Sequence, residues 1–401
     1  MKASAFVYPW DVVGDPDAAR RIADLGVQQV TLAAAYHSTR ALTPRHPRHR
    51  VVTAGHAAVL YPVDEQRWRG RELRPYEAGD WAPGDAYGRA AAALAEAGLE
   101  VHTWVVLAHN SRLGAEHPDT CVVNAYGDRY PWAPCIAQPP TRAYLTDLAA
   151  EAATRPGARG TELESLGWYG LAHLHAHDKT GGVALGEAGQ YLMSLCFCPS
   201  CRDGYAERGL DADKLNATVR AALEPVWRGQ VPDGDWSTVE RMLGAETATA
   251  TRAYRDATAR SLQETAVAAV RAAARTPNAS NVPIAPNGQE SFQVLLHADP
   301  SSHHCGANAG VEPAHILSVA DGVVVPCTGG ADLVRPFARA AAGAVVAANL
   351  TVVRGMGGSP DTLAADARAA RDLGATELRL YHAGLASDED LAAVAEAVRE
   401  L

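Results

Sequence analysis

The sequence contains very little lysine and no excess of positive charge. Lysine occurs three times in 401 residues, at Lys2, Lys179 and Lys214, and the formal net charge at pH 7 is -10. Nucleic acids and anionic membrane surfaces attract positively charged proteins, so this charge balance excludes both as expected partners. The composition, with 47% hydrophobic and 20% charged residues, is typical of an ordinary soluble globular protein.

Long hydrophobic runs and a secretion signal are also missing. The N-terminal segment, MKASAFVYPWDVV, has no basic region followed by an apolar core and a small-residue cleavage site. No apolar run is long enough to predict a transmembrane helix. We therefore expect a cytoplasmic protein, in which the seven cysteines are metal ligands or buried thiols rather than disulfides.

Strand-like apolar runs alternate with alanine-rich amphipathic helices, and this alternation predicts a parallel sheet. Eight such strands favour a (β/α)8 TIM barrel, with a doubly wound open sheet as the alternative. The first strand is followed by Trp10-Asp-Val-Val-Gly instead of a glycine-rich phosphate loop, which disfavours the open sheet, and we expect no organic cofactor. The predicted strands are Ala3–Val7, Val27–Ala35, Val101–Leu107, Gly160–Gly167, Val282–Ala285, Gly322–Val325, Ala344–Val353 and Glu377–Tyr381.

The whole chain, residues 1–401, is predicted to form one barrel domain, with extra helices at about residues 202–275 after the fourth strand. One long loop, at about Thr43–Pro83, follows the second strand, and another, containing Cys121 and Cys135, follows the third. Barrel enzymes build their sites at the C-terminal ends of the strands. These loops and the polar segment after the fourth strand therefore predict the functional face.

Two glutamates, Glu162 and Glu164, stand in the fourth predicted strand. Alternate residues of a strand share a face, so both carboxylates are expected to point into the barrel mouth. Their repulsion would make one of them hold its proton more tightly, as a general acid requires. The alternative is that one glutamate forms a structural ion pair with an arginine. Because Leu163 and Leu166 flank them, we expect a buried pair with at least one catalytic member.

Three alternating histidines and a lysine follow this strand, at His173, His175, His177 and Lys179. In extended backbone the histidines would converge on one face and bind a metal or a polyhydroxylated ligand. Gly170 before them and Gly181 after them predict a loop, so we favour hydrogen bonds to substrate hydroxyls over a metal site or a solvated loop. Trp168 and Tyr169 offer flat apolar faces for stacking a sugar ring, the alternative being burial under the loop.

Polar and aromatic residues also stand at the ends of the other predicted strands. Each alone is more often a packing or capping residue, but together they predict a mouth rich in hydrogen-bonding groups and poor in charge. Such a mouth suits a neutral hydroxylated ligand better than a phosphate. Apart from the residues of the histidine segment, the predicted substrate-binding residues are Tyr8, Trp10, Tyr36, His37, His109, Asn110, Asn287, Asn349, Arg354, Tyr381 and His382.

Cys196, Cys198 and Cys201 supply three thiols within six residues. Tetrahedral zinc needs a fourth ligand, for which Cys135 and Cys121 are the candidates. The alternative is three buried thiols that pack the start of a helix. Because the spacing is tight and the expected compartment is reducing, we expect a structural zinc that ties the third loop to the helices after the fourth strand.

The cysteine segment CFCPSCRDGY, together with the upstream Cys135-Ile-Ala-Gln-Pro-Pro-Thr-Arg, resembles the zinc-binding cluster of family 42 β-galactosidases. The resemblance implies a glycosidase-like barrel with its acid/base on strand four, at Glu164 or else Glu162. The stretch from Tyr36 to Pro47 is similar to bacterial glycosidase-like barrel proteins. This chain has Glu-Leu-Glu on strand four where the family has Asn-Glu, and Asn349 on strand seven where the family has its nucleophile. The implied zinc ligands are Cys135, Cys196, Cys198 and Cys201.

The sequence therefore predicts a hydrolase that acts on a small or oligomeric glycoside, with Glu164 as general acid/base and Glu162 as its partner. A partner is needed because the usual mechanisms employ two carboxylates. Two alternatives stand beside this prediction. One is a carbohydrate-binding pseudoenzyme without the strand-seven nucleophile, and the other is a metal-dependent lyase or isomerase that uses the histidine loop. A carbohydrate is the expected small-molecule partner, and a homo-oligomer formed through the outer helices is a further expectation.

Overall fold

Eight parallel strands form the centre of the structure, a computed structural model that describes residues 1–172, 178–232, 234–275 and 292–401. Each strand pairs with the next barrel strand along the chain, and the eighth pairs with the first, so the sheet closes. The predicted (β/α)8 barrel is confirmed. The barrel strands are β1 (Lys2–Val7), β2 (Gln29–Tyr36), β3 (Glu100–Val106), β4 (Gly160–Glu164), β5 (Gln293–Asp299), β6 (Gly322–Pro326), β7 (Val345–Thr351) and β8 (Glu377–Tyr381).

The fifth barrel strand is not the one that the sequence pattern predicted. The segment Val282–Ala285 and Asn287 after it lie outside the described residues. The fifth position belongs to β5, whose Leu295 pairs with Glu162 of β4 on one side and with Gly322 of β6 on the other. The sequence of β5, QVLLHAD, is apolar except at its ends and at one histidine, as expected for a strand buried on both faces.

Helices follow the barrel strands and form the outer layer. Several begin at side-chain caps that satisfy free backbone N–H groups, such as Asp85, Asn110 and Ser387. No helix in the described part of the chain is long and apolar enough to cross a membrane. The helices are α1 (Pro9–Val12), α2 (Ala18–Ala23), α3 (Ala86–Glu96), α4 (Ser111–Glu116), α5 (Pro139–Ala153), α6 (Gly186–Met193), α7 (Pro199–Ala206), α8 (Ala212–Trp227), α9 (Trp236–Leu243), α10 (Ala245–Ala274), α11 (Pro313–Val319), α12 (Val334–Ala340), α13 (Leu363–Asp372) and α14 (Asp388–Arg399).

Short elements elaborate the C-terminal end of the barrel. The loop after β2 forms an antiparallel hairpin of Thr39–Leu42 with Val51–Ala54, and Ala58–Val59 pairs with β2 itself. The loop after β3 forms a second hairpin, Cys121–Val123 with Arg129–Pro134. The strand Ala309–Gly310 lies beside β5, and short 3-10 helices span Pro118–Thr120, Thr180–Gly182, Arg354–Met356 and Pro360–Thr362. Helices α6 to α10 follow β4, and α7 to α10 fill the region where extra helices were predicted.

The barrel interior has a polar centre with aromatic residues above it. Ser4 and Thr31 hydrogen-bond at 2.9 Å, and Thr31 donates to the buried carboxylate of Glu162 at 3.1 Å. Nearer the C-terminal end, the Phe6 and Trp104 rings meet edge to face with centroids 4.7 Å apart. A barrel core filled in this way is a packed support rather than a pore, so it can hold side chains at the mouth rigidly.

Candidate active site at the barrel mouth

A cavity of about 1400 Å³ opens at the C-terminal end of the barrel. All eight barrel strands, or the residues directly after them, contribute to its wall. Loops after β2, β4, β5 and β7 complete the rim. The wall residues from the strand ends are Tyr8, Tyr36, Trp104, Glu164, His297, Pro326, Asn349, Thr351 and Tyr381. Convergence of polar and aromatic groups from every strand in one large cavity is the usual arrangement of a barrel enzyme's site.

Glu164 is the last residue of β4 and brings a carboxylate to the cavity. Its side chain is 12% exposed. The indole Nε1 of Trp104 donates a hydrogen bond to Glu164 Oε2 at 2.7 Å. The imidazole Nδ1 of His297 lies 3.9 Å from the same oxygen. Among the wall residues that the structure describes, the other carboxylate is Glu187, which is exposed on α6.

Three tyrosines surround the aromatic floor beside Glu164. The Tyr8 hydroxyl donates to the Tyr36 hydroxyl at 3.1 Å, and the Tyr36 ring meets Trp104 edge to face at 4.5 Å. Burial, reinforced by the neighbouring Tyr381 hydroxyl, raises the pKa of Tyr8 and of Tyr36 well above 10. Burial raises the pKa of Tyr381 as well. All three side chains are therefore neutral phenols, whose hydroxyl groups can form hydrogen bonds with a ligand.

Glu162 lies one layer below the cavity and is not part of its wall. It is fully buried and forms an ion pair with Arg379 of β8, which is also fully buried. Thr31 donates to Glu162 Oε1 at 3.1 Å. Burial opposes ionisation of Glu162, but the charge of Arg379 and the hydrogen bond from His297 outweigh it, and the pKa falls to about 2. Its surroundings are those of the structural ion pair that was the alternative interpretation of the two glutamates.

His297 of β5 was missed by sequence reasoning, although it stands between the two glutamates. Its Nε2 lies 3.3 Å from Glu162 Oε2, and its Nδ1 lies 3.9 Å from Glu164 Oε2. The imidazole is 4% exposed and belongs to the cavity wall. One side chain thus connects the buried glutamate to the glutamate at the cavity. The sequence signal available was one histidine in an apolar run, and that run was not recognised as a strand.

One side of the cavity is lined by imidazole and phenol rings. His109 stacks on Tyr169 with centroids 4.3 Å apart and meets His37 edge to face at 5.1 Å. Burial lowers the pKa of His37, so this ring is neutral at neutral pH. Asn349, at the C-terminal half of β7, also lines the cavity, and its buried Oδ1 has no hydrogen-bond partner within the described structure. These groups offer stacking faces and neutral hydrogen-bonding atoms.

Several predicted substrate-binding residues lie behind the cavity wall instead of on it. Trp10 stacks on Tyr8 at 4.5 Å, and His382 stacks on Tyr8 at 4.2 Å, so both are buried supports. Burial lowers the pKa of His382 to about 3. Asn110 accepts a hydrogen bond from Leu113 N at 3.0 Å and caps α4.

Three more predicted substrate-binding residues are also held away from the wall. Trp168 is buried and donates to the carbonyl of Arg255 at 3.0 Å. Arg354 forms an ion pair with Asp361 at 2.7 Å and is not a wall residue. Lys179 is exposed and does not belong to the wall. His173, His175, His177 and Asn287 lie outside the described residues, so their roles stay predictions.

Four cysteines come together away from the cavity. Cys135, before α5, meets Cys196, Cys198 and Cys201 at the start of α7, and all four sulfurs lie within 4.8 Å of one another. Cys135 Sγ is 3.7 Å from Cys198 Sγ and 3.5 Å from Cys201 Sγ. A tetrahedral zinc with Zn–S bonds of about 2.3 Å would require sulfurs about 3.8 Å apart, so the cluster fits a metal ion. Cys121, the other candidate, is not part of the cluster and points to the Gly114 carbonyl.

Comparison of the chain with protein-family models gave no match, and comparison with curated proteins gave none either. Solved structures with a similar fold include α-L-fucosidase isoenzyme 2 from Paenibacillus thiaminolyticus, at 12% identity and a TM-score of 0.54. A β-galactosidase from Rahnella sp. R3 has 10% identity and a TM-score of 0.53. A catalytic mutant of Gan42B, a GH42 β-galactosidase from G. stearothermophilus, has 11% identity and a TM-score of 0.54.

The similarity to these structures extends over the whole of this chain. It covers 100% of this chain in all three comparisons, but 49% of the fucosidase and 56% of each β-galactosidase, so the chain spans about half of their length. Identities of 10–12% establish a common fold and nothing finer. The chain thus has a (β/α)8 barrel fold that is similar to the barrels of these three glycosidases.

Proposed function

We propose that this protein is a glycoside hydrolase that acts on a small or oligomeric glycoside, with Glu164 as the general acid/base. The observation that carries the proposal is the position of the Glu164 carboxylate, which stands at a strand end on the wall of the large cavity. The Trp104 indole fixes this carboxylate through a 2.7 Å hydrogen bond. A carboxylic acid held in this way can protonate the glycosidic oxygen as the leaving group departs.

The composition of the cavity wall supports a neutral sugar as the ligand. Tyr8, Tyr36 and Tyr381 offer neutral phenols, and His109 and Tyr169 offer stacked ring faces. Sugars present C–H faces to aromatic rings and hydroxyls to neutral donors and acceptors. The buried Asn349 Oδ1, which has no hydrogen-bond partner within the described structure, is available to accept from a substrate hydroxyl. These five residues and Asn349 are therefore our candidates for substrate binding.

Glu162 acts from beneath the cavity in this proposal. Its carboxylate is enclosed by Arg379, Thr31 and His297, and its side chain has no exposed surface. A group in this position does not reach the anomeric carbon, so we assign Glu162 a positioning role. Glu187 is then the remaining carboxylate of the described wall that can serve as a second acid, and it is exposed at the N-terminal turn of α6.

We also propose that Cys135, Cys196, Cys198 and Cys201 bind one structural zinc ion. The backbone N–H groups of Val123 and Cys198 point to Cys196 Sγ at 3.4 and 3.5 Å, as expected around a thiolate ligand. The ion would cross-link the hairpin after β3 to the start of α7. Because the four cysteines form no part of the cavity wall, the zinc would support the fold and would not take part in the reaction.

The proposal is tested with a panel of 4-nitrophenyl glycosides and short oligosaccharides. We expect the wild-type protein to hydrolyse at least one member and Glu164→Gln to lose about 100-fold or more in kcat, since general acid–base catalysis contributes about 10²–10⁴-fold. Asp332→Asn is the matched control, because Asp332 is also a carboxylate after a barrel strand but is 90% exposed and lies outside the wall. Unchanged turnover in Glu164→Gln would refute the assignment.

A carbohydrate-binding pseudoenzyme is a second candidate, and one observation favours it. The strand-seven position that carries the nucleophile in family 42 β-galactosidases is occupied here by Asn349, which cannot form a glycosyl ester. Isothermal titration calorimetry with the same glycosides separates the two candidates. Saturable binding without turnover, unaffected by Glu164→Gln, would favour the pseudoenzyme.

A further inference from the structure

We propose that His297 exchanges protons with Glu164 during the reaction, and that Glu162 and Arg379 hold the His297 ring in the orientation that this exchange needs. The proposal rests on the hydrolase function proposed above for the same cavity. It assigns a catalytic role to a histidine and a positioning role to a buried ion pair. It also supplies a second acid/base group in a cavity wall that has few carboxylates.

His297 lies between two carboxylates. Its Nε2 is 3.3 Å from Glu162 Oε2 below the cavity, and its Nδ1 is 3.9 Å from Glu164 Oε2 at the cavity. The two ring nitrogens therefore face different carboxylates. The ring edge contacts Phe6 at a centroid distance of 5.9 Å, and the side chain is 4% exposed. Packing from below and from the side leaves the ring little freedom to flip.

The ion pair beneath the ring decides which nitrogen carries the hydrogen. Glu162 is paired with Arg379 and is ionised, so its oxygens accept hydrogen bonds and cannot donate them. The His297 Nε2 must then be the donor to Glu162. In the neutral ring, Nδ1 is consequently unprotonated, and its lone pair points toward Glu164. Hydrolases with a catalytic triad orient their histidine in the same way, with a buried carboxylate fixing one nitrogen and leaving the other free for proton transfer.

A balanced proton cycle follows from this arrangement. Glu164 donates its proton to the glycosidic oxygen, which also takes the electron pair of the breaking bond to the anomeric carbon. Because His297 and Glu164 lie side by side, the oxygen of a water molecule bonds to that carbon on the face from which the glycosidic oxygen has departed, and the water proton passes to His297 Nδ1. The resulting imidazolium is stabilised by Glu162 and then returns the proton to the Glu164 carboxylate. Both groups regain their starting state, and one water molecule is consumed.

The 3.9 Å separation between His297 Nδ1 and Glu164 Oε2 is longer than a hydrogen bond. Catalytic hydrogen bonds are often long in the absence of substrate and tighten in the complex. Trp104 donates a hydrogen bond to the same Glu164 oxygen at 2.7 Å. A movement of about 1 Å by the Glu164 side chain, within the range of a small rotation, would bring the pair to bonding distance.

The variant His297→Gln tests the catalytic role. A glutamine amide keeps an N–H donor for Glu162 but provides no proton acceptor toward Glu164. We expect kcat to fall about 100-fold with KM changed by less than about twofold, since a lost general base affects chemistry more than binding. The matched control is His102→Gln. His102 is also a fully buried barrel histidine bonded to a glutamate, with Nε2 2.8 Å from Glu100 Oε1, but it does not line the cavity. The kcat of this control is expected to stay near the wild-type value.

A second measurement decides the orientation of the ring without any turnover. Nitrogen-15 NMR of histidine-labelled protein, assigned with His297→Gln, reports which ring nitrogen is protonated. We expect the Nε2–H tautomer in the wild-type protein and a growing fraction of the Nδ1–H tautomer in Glu162→Gln. An Nδ1–H tautomer in the wild-type protein overturns the proposal, as does wild-type kcat in His297→Gln.

If the proposed hydrolase function is wrong, the kinetic and NMR measurements give a different combination of results. If the wild-type protein hydrolyses no member of the glycoside panel, the hydrolase assignment fails while the tautomer is still measured. An Nε2–H tautomer that depends on Glu162 then supports the orienting role of the ion pair on its own. An Nδ1–H tautomer overturns that role whatever the activity.

Discussion

The buried ion pair beneath the cavity leads to a quantitative prediction for Glu162→Gln. Glu162 and Arg379 both have fully buried side chains and stand on opposite sides of the barrel interior, on β4 and β8. The substitution keeps the size but removes the charge and replaces one accepting oxygen with an N–H donor. Arg379 retains two partners, since its Nη1 lies 2.9 Å from Glu377 Oε2 and 3.0 Å from the Leu378 carbonyl oxygen. The variant is therefore expected to fold with reduced stability.

The size of the stability loss follows from the lowered pKa of Glu162 and from the usual cost of breaking a buried ion pair. The pKa of Glu162 falls from 4.5 to about 2, and a pKa difference of one corresponds to about 1.4 kcal/mol, so ionised Glu162 stabilises the folded state by about 3 kcal/mol at pH 7. Breaking a buried ion pair by removing one partner typically costs about 3–5 kcal/mol. Since Glu377 partly compensates Arg379, we expect a value near the lower figure.

The pH dependence follows from the direction of the pKa change. Because the pKa of Glu162 is lowered in the folded state, the stabilisation by its ionised carboxylate is complete above pH 4.5. This stabilisation disappears as the pH falls through 2. The stability difference between wild type and Glu162→Gln should therefore shrink from about 3 kcal/mol at pH 7 to about 2 kcal/mol at pH 3.5.

Urea unfolding followed by tryptophan fluorescence at both pH values measures this difference. Asp361→Asn is the control, because Asp361 pairs with Arg354 in an exposed ion pair and should matter far less. A difference below about 1 kcal/mol at pH 7, or one that grows as the pH falls, would refute the reasoning.

Two further predictions concern the metal cluster and the floor of the cavity. Purified protein should contain one zinc per chain by mass spectrometry, and Cys198→Ser should lose it and unfold at a lower temperature, because structural zinc contributes directly to folding. Cys327→Ser is the control, since Cys327 is an equally buried cysteine outside the cluster, and equal zinc content in both variants would contradict the prediction. Trp104→Phe removes the indole donor to Glu164 and should lower kcat by about tenfold, the value of one hydrogen bond to a charged group, whereas a change in KM alone would argue against a role in the reaction.

The barrel itself could be predicted because its physical signal is local and repeated. Each βα unit shows a short apolar run followed by an amphipathic segment, and seven of the eight barrel strands occur within the predicted segments or close to them. The exception is β5, where the apolar run QVLLHAD was overlooked in favour of a nearby run at Val282–Ala285. Both segments are apolar and short, and periodicity alone cannot rank two such runs.

The candidate site was only partly accessible from the sequence. Glu164 could be proposed as a candidate because a charged residue at an apolar strand end has few structural explanations. The different depths of Glu162 and Glu164 were not predictable, because a period of two gives the side of a strand and not the layer of the barrel. The partner of Glu162 is Arg379, which is 217 positions away in the sequence. Contacts at that separation depend on how the sheet closes, which no local pattern contains.

The sequence also did not show which residues line the cavity and which pack behind its wall. Tyr8 and Trp10 lie two positions apart, yet Tyr8 faces the cavity and Trp10 packs behind it. The side-chain oxygen of Asn110 accepts a hydrogen bond from an N–H group of α4, and the guanidinium of Arg354 pairs with Asp361. Both residues therefore use polar atoms for local contacts. Spacing alone left both Cys135 and Cys121 as candidates for the fourth member of the cysteine cluster. The family motif implied Cys135, and Cys135 lies with the other three cysteines.

The most direct test of the account is the turnover of Glu164→Gln on whichever glycoside the wild-type protein hydrolyses, with Asp332→Asn measured beside it. Glu164 is the carboxylate that the barrel brings to the cavity floor, and the whole proposed reaction begins with its proton. The account predicts a loss of about 100-fold or more in kcat for Glu164→Gln, with an unchanged circular dichroism spectrum, and wild-type kcat for Asp332→Asn. Wild-type kcat in Glu164→Gln would contradict it.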